Sequence, residues 1–377
     1  MKKVLKRIVC IFIIFVLPLG FVYTTQVRTD TCTIRLKGFY LEPKNSLDVV
    51  FLGQSEEFHG YSPALAYHNT GITSYNYAVP SNIPSMYISE LKEILSRQSP
   101  QLIVIDITPF TESSEWNELR EASFRKYVEG IPLSLNKVDT IISAKGWENA
   151  PSYFFPFMMY HGEFENFSGL KDRFSMDLHG MSYLKGILAT NYIMPLSTQN
   201  QNIITSEECL NIDSENQSHL EELVSYAKSI KNQVVFCRFP HRITSDEKAK
   251  RYQRENCVKK FVQKNGFTFL DFSEDISKFL DINNDFCDDE HMNVNGQKKL
   301  TKHIAKILVD EFGVKAGEHE LSVKENWNKS VVYASILYEN MDELIAKFQV
   351  DEGNGAVILY ETAELINDLE KRYLDIE

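Results

Sequence analysis

SLDVVFLG, residues Ser46–Gly53, runs directly into Gln54-Ser55. An apolar run closed by a glycine fits a strand buried on both faces, as in a parallel sheet, because a half-exposed strand would alternate with polar residues. Working outward, Gly71–Ala78 (GITSYNYA), Leu102–Ile107 (LIVIDI), Gln233–Arg238 (QVVFCR) and Phe267–Asp271 (FTFLD) read as further strands. Helical stretches separate them. One covers Ile83–Ser96 after a loop holding Pro80, Ser81 and Asn82, and another covers Lys248–Lys264, where Gly266 supplies the stop. The alternation predicts an α/β fold of three layers, α/β/α, around a mostly parallel five-stranded sheet of the doubly wound, flavodoxin-like kind. A ligand site is then expected beyond the carboxyl ends of the strands.

The chain has 377 residues, 43% hydrophobic and 24% charged, too apolar for disorder and too polar for a multispan membrane protein. One core with additions is expected: an N-terminal segment over 1–25, the α/β unit over 26–312 and a helical extension over 313–377. Residues 109–200, with the aromatic run Tyr153–His161 (YFFPFMMYH), break the repeat and read as an insertion shaping a substrate site. From Val314 the pattern is purely helical. Leu337, Met341, Leu344, Ile345 and Phe348 share one face, Ile358, Leu365, Ile366, Leu369 and Tyr373 another, with Gly353 and Gly355 between. A hairpin packed on the protein's own core is the simpler reading, a partner-binding pair the other.

Lys2, Lys3, Lys6 and Arg7 precede the uncharged run 8–23 (IVCIFIIFVLPLGFVY), the basic-then-apolar order of an exported chain. Without a small-x-small cleavage site before Thr24, an uncleaved signal anchor is preferred over a cleaved signal peptide, placing the remainder outside the cell membrane. The net charge is 40 − 52 = −12, and those four cations lie before any acid, so the rest carries −16. That excludes a general nucleic-acid binder, which must neutralise phosphates. Six scattered cysteines without a C-x-x-C pair indicate neither a zinc site nor a disulfide scaffold, although one or two disulfides would suit an exported protein.

Two places carry chemistry. Ser55, after the first strand, would stand at the sheet's carboxyl edge near backbone N–H groups able to hold an oxyanion, or it is an ordinary N-cap before Glu56 and Glu57. Asp288-Asp289-Glu290-His291 puts a carboxylate three residues before an imidazole, close enough to orient it toward a nucleophile. An amphipathic helix follows from Gln297. Asp281, Asn283 and Asp285 have calcium-loop spacing, but Phe286 and Met292 stand where that loop needs Gly and Glu.

Across Leu47–Leu308 these features resemble the SGNH/GDSL hydrolase superfamily, most clearly at LDVVFLGQSEEFHGYSP, SYNYAVPSNIP and DFCDDEHMNVNGQKKLTKHI. FRKYVEGIPLSLNKVDTI is similar to exported members from Gram-positive bacteria, and Glu56 beside the Ser is locally similar to the D-alanyl transfer proteins of teichoic-acid modification. The resemblance implies Ser55 as nucleophile, His291 as general base and Asp288 as its orienter. Three positions depart from it. Gln54 stands before the nucleophile, Ser81 replaces the second block's oxyanion-hole Gly, and Thr108-Pro109 stands where the third block offers an Asn. Asn82 is the candidate replacement donor. His161, His59, Arg238 and His241 are candidates to line the cleft, Arg238 for an anionic sugar or phosphate. The function implied is an exported serine esterase or O-acyltransferase acting on acyl groups of cell-envelope glycan, working beside a membrane-bound O-acyltransferase if transfer is the reaction. No metal or cofactor is required. A catalytically silent glycan-binding or accessory module is the other class.

Overall fold

The computed structural model describes residues 2–16, 31–112, 117–155, 182–196, 207–274, 276–348, 350–351, 357–359 and 361–375. Strands β1 (Val49–Gly53), β2 (Ser74–Ala78), β3 (Leu102–Asp106), β4 (Gln233–Arg238) and β5 (Thr268–Asp271) form one sheet in the order β2-β1-β3-β4-β5. Every neighbouring pair is parallel, with Val49 opposite both Ser74 and Leu102, Leu102 opposite Gln233, and Val235 opposite Thr268. This is the flavodoxin-like order, whose switch point falls between β1 and β3. The crevice at their carboxyl ends is therefore where the chain after β1 arrives.

Parallel strands need crossovers, and these cover both faces of the sheet. On one face Val50, Leu52, Tyr77, Ile103, Ile105 and Phe236 pack under helices α2 (Thr31–Leu41), α5 (Tyr87–Arg97), α6 (Asn117–Gly130) and α8 (Ser214–Ser229). On the other, Phe51, Leu102, Val104, Val235 and Cys237 pack under α4 (Pro63–Thr70) and α10 (Val294–Asp310). β1 and β3 are buried along their whole length, which is why they lack polar alternation, whereas β2 alternates and buries Ser74 and Asn76 as well. The first strand begins at Val49, later than the apolar run suggests, because the Asp48 carboxylate accepts the backbone N–H and hydroxyl of Thr73 (both 3.0 Å). A charged side chain at that edge ties two strand entries together.

Beyond the sheet, α11 (Leu321–Glu339), α12 (Met341–Phe348) and α13 (Ala363–Leu374) bury Tyr333, Leu337, Leu344, Leu365, Ile366 and Leu369 against Tyr183, Leu184 and Ile187. The purely helical expectation needs one correction. Val350–Asp351 and Val357–Ile358 pair as short antiparallel strands, so Ile358 belongs to a strand and not to a helix. Residues 2–16 are helical, α1 being Lys2–Ile11 with a π-helical continuation Phe12–Val16. Among the described residues no helix is long and apolar enough to cross a membrane. Much of the 8–23 run, and His161 with the aromatic residues from 156, lie outside the described residues.

Candidate active site

Ser55 opens α3 (Ser55–Gly60), two residues after β1. Gly53 is required there by space, not by backbone angle. A Cβ on it would lie 2.5 Å from Glu57 Oε2 and 2.7 Å from Asp106 Cβ. The turn from strand to helix is thus closed tightly over β3. Gln54 provides no side-chain cap, so the first N–H groups of α3 keep their polarity for whatever lies above Ser55.

The loop from Cys287 to His291 is fixed from several sides. Asp288 Oδ1 accepts the N–H groups of Glu290 and His291 (both 2.7 Å), while Asp288 Oδ2 lies 2.7 Å from His291 Nδ1. Cys287 N–H donates to His291 O (3.0 Å), and Asp289 is held by Arg242 (3.1 Å) and Lys248 (2.9 Å). Asn293 then caps α10 through the N–H groups of Asn295 and Gly296. With a carboxylate on Nδ1, the neutral imidazole keeps its proton there and leaves Nε2 as an acceptor. Nε2 is buried without a hydrogen-bond partner. Burial works against a charged imidazole, but the bond and charge of Asp288, with Glu290 and Glu56, outweigh it and raise the His291 pKa above its ordinary value. Burial likewise opposes the Asp288 carboxylate, and the hydrogen bonds and charge of His291 overcome it, holding that carboxyl well below the usual range.

A second imidazole lies against the first. His59, from α3, has its ring 4.8 Å from that of His291, centre to centre, and is buried. Burial and the neighbouring His291 push its pKa well down, so it stays neutral beside that ring.

Ser55 and His291 line one cavity of about 400 Å³. Ser81, Asn82, Ile83 and Pro84 form one wall, Pro109 and Glu112 another. The wall missed by sequence reading is Ser245, Glu247, Lys248, Arg251 and Arg254 at the start of α9 (Asp246–Lys264), capped by Ser245. The signal was present: 248, 251 and 254 recur every three residues, which puts three cations on one face of a helix. Arg251 is the key member. It pairs with Glu56 beside Ser55, Glu290 beside His291 (3.1 Å), Glu255 (3.2 Å) and Glu112 (3.4 Å). One guanidinium therefore ties the helix of Ser55 to the loop of His291. Arg251→Met is expected to cost about 3–5 kcal/mol, because it strands buried carboxylates without a cation. Urea denaturation measures the loss.

Below this ring the carboxyl groups change character. Glu57 and Asp106 are buried with unsatisfied oxygens, and Glu90 is buried against the Asn82 amide. Burial raises all three pKa values, that of Glu90 to about 8, with Asp106 and Glu90 adding to the effect on Glu57 and Glu56 adding to that on Asp106. The folded state thus holds protons that the unfolded chain releases in the ordinary carboxyl range. For Glu90 stability should fall as pH rises from about 4.5 toward about 8, at about 1.4 kcal/mol per pH unit, and Glu57 and Asp106 act in the same direction. Glu90→Gln should flatten that slope in urea titrations run at pH 5, 6.5 and 8.

Several expected site residues serve other ends. Asn82 lines the cavity, but its Nδ2 donates to Gly53 O (2.9 Å) and to both carboxyl oxygens of Glu90 (3.1 and 3.0 Å). Its side-chain amide is occupied as a brace under the turn that carries Ser55. Ser81 has φ +50°, the left-handed conformation that favours glycine, so the local fold explains a glycine preference there while Ser tolerates the strain. Arg238 does not line the cavity. Its guanidinium is 2% exposed and binds Asp271 (2.8 and 2.5 Å), Asn256 (2.9 Å) and Tyr252 (2.5 Å), a brace between β4, β5 and α9. His241 is buried behind the wall, 3.8 Å from Glu255, its pKa lowered to about 4 by burial and then by Arg251. Asp285 is paired with Lys299 (2.7 Å), which agrees with discounting calcium.

Against known proteins, no protein-family profile matches the chain, and no curated protein does. Among solved structures, the chain is similar to a candidate lipolytic protein of the G-D-S-L family from Desulfitobacterium hafniense DCB-2, at 13% identity and a TM-score of 0.34, over 70% of this chain and 100% of the other.

Proposed function

We propose that this protein is an SGNH-type serine esterase or O-acyltransferase. The observation that carries the reading is the His291–Asp288 pair whose free Nε2 is buried beside the cavity that Ser55 lines. His291 takes the Ser55 proton as the hydroxyl attacks an ester carbonyl. Asp288 steadies the imidazolium, and the tetrahedral oxyanion is met by backbone N–H groups at the start of α3. The alcohol leaves with the proton from His291, and water or a sugar hydroxyl then resolves the acyl-enzyme.

The acceptor and donor class is acylated cell-envelope glycan outside a membrane to which the chain is tethered, with a membrane-bound O-acyltransferase as partner if the reaction is transfer. The basic residues before the 8–23 run and the exposed apolar side chains Val9, Ile11, Phe12, Ile13 and Ile14 support that tether. A serine-directed fluorophosphonate probe offered to the full chain in detergent tests the nucleophile. A single adduct on the peptide carrying Ser55, lost in His291→Ala, is the expected result, and no adduct at Ser55 would overturn it. The second reading, a silent glycan-binding module, is favoured by one feature. The third-block amide is absent and the Asn82 amide is engaged, so the side-chain oxyanion donors of the superfamily are missing.

A further inference from the structure

Away from the cavity, the segment from Glu207 to Asn211 lies along the later turns of α9. Leu210 N–H donates to Gln253 O (3.1 Å), Asn256 Nδ2 to Glu208 O (3.2 Å), Gln253 Nε2 to Glu208 Oε2 (3.3 Å) and Lys260 Nζ to Glu207 O (3.3 Å). These bonds set two cysteines 48 positions apart in sequence beside each other. Cys209 sits between Glu208 and Leu210, both bonded to α9, and it neighbours Cys257 and Lys260 of that helix closely enough to act on their ionisation. Cys209 is exposed, Cys257 is half-buried with its Sγ 3.8 Å from Asn211 Oδ1, and both are free thiols in this structure.

We propose that Cys209 and Cys257 form a redox couple whose disulfide staples residues 207–211 to α9, the helix that carries Lys248, Arg251 and Arg254. The chemistry is thiol–disulfide exchange with a low-molecular-weight disulfide. The exposed Cys209, as thiolate, attacks one sulfur of the oxidant. That S–S bond breaks, one thiol leaves, and a mixed disulfide remains on Cys209. Cys257 then loses its proton to solvent and attacks the Cys209 sulfur, expelling the second thiol. Two electrons pass from the cysteine pair to the exchanging disulfide, which departs as two thiols. Burial and the neighbouring Cys209 raise the pKa of Cys257. Once Cys209 is capped its charge is gone, so the second step is eased as the first is completed. The couple lies outside the Ser55 cavity and does not depend on the hydrolase reading.

The test uses the full chain, reduced and then exposed to oxidised glutathione at pH 8, alkylated and digested without reductant. A linked peptide pair joining Cys209 to Cys257 is expected, with loss of two of the six titratable thiols and a rise in Tm of about 5 °C that dithiothreitol reverses. Cys257→Ser should abolish the link and leave Cys209 as a stable mixed disulfide. Recovery of both cysteines separately alkylated, or of either joined to another cysteine, would overturn the pairing. A linked pair with unchanged Tm would overturn the staple.

Discussion

Ser55→Ala is expected to lower kcat/KM for p-nitrophenyl acetate by about 10⁴-fold or more, while urea denaturation stays within about 0.5 kcal/mol of the parent. The serine hydroxyl supplies the bond-forming electrons, so without it only cavity binding and the backbone donors remain, and these leave residual catalysis over water. The surroundings should survive the change. Gly53 shapes the turn, Asn82 braces it and Arg251 bridges it to the loop of His291, and none of these uses the Ser55 hydroxyl. Equal rates for parent and variant, with folding intact, would remove the enzyme reading and leave the silent module.

Asp288→Asn carries the second large effect, about 10⁴-fold in kcat, and it has a signature in pH. An asparagine amide facing Nδ1 asks that nitrogen to accept, which moves the imidazole proton to Nε2, the position that must receive the Ser55 proton. In the parent, His291 must be neutral to act. Its pKa lies above the ordinary histidine value, so activity should fall as pH drops through a point above about 6.5, tenfold per unit below it. In the variant the Asp288 carboxylate is gone and burial is opposed only by the more distant charges of Glu290 and Glu56. The residual activity should then persist to lower pH, its limb shifted downward. A limb that stays in place would mean that another group sets the base, and neutral His59, ring to ring with His291, is the first to test.

The central strands were legible because a strand buried on both faces shows in sequence as a short apolar run, and residues 102–106 and 233–238 match the structure within one residue. Boundaries slipped where side chains intervened, as at Asp48, whose carboxylate takes the place of a ladder bond. The Asp288–His291 pair was also local, three residues on one turn, and so was readable. Arg238 misled because an arginine at a strand's carboxyl end looks the same whether it meets a substrate or Asp271 from the neighbouring strand. Asn82 misled in the same way. Both partners, Glu90 and Asp271, are set by folding and not by spacing near the residue itself.

What the chain dictates through sequence is therefore everything that depends on near neighbours: apolar runs, helix periodicity, the carboxylate three residues before the imidazole. Tertiary structure decided which distant groups share a space. It brought the face of α9 over Ser55, joined Arg251 to three glutamates from other segments, kept Glu57, Asp106 and Glu90 away from water, and set Cys209 beside Cys257. The physical reason is that periodicity acts within a few residues, whereas burial and Coulomb interactions depend on distance in space, which no local pattern encodes.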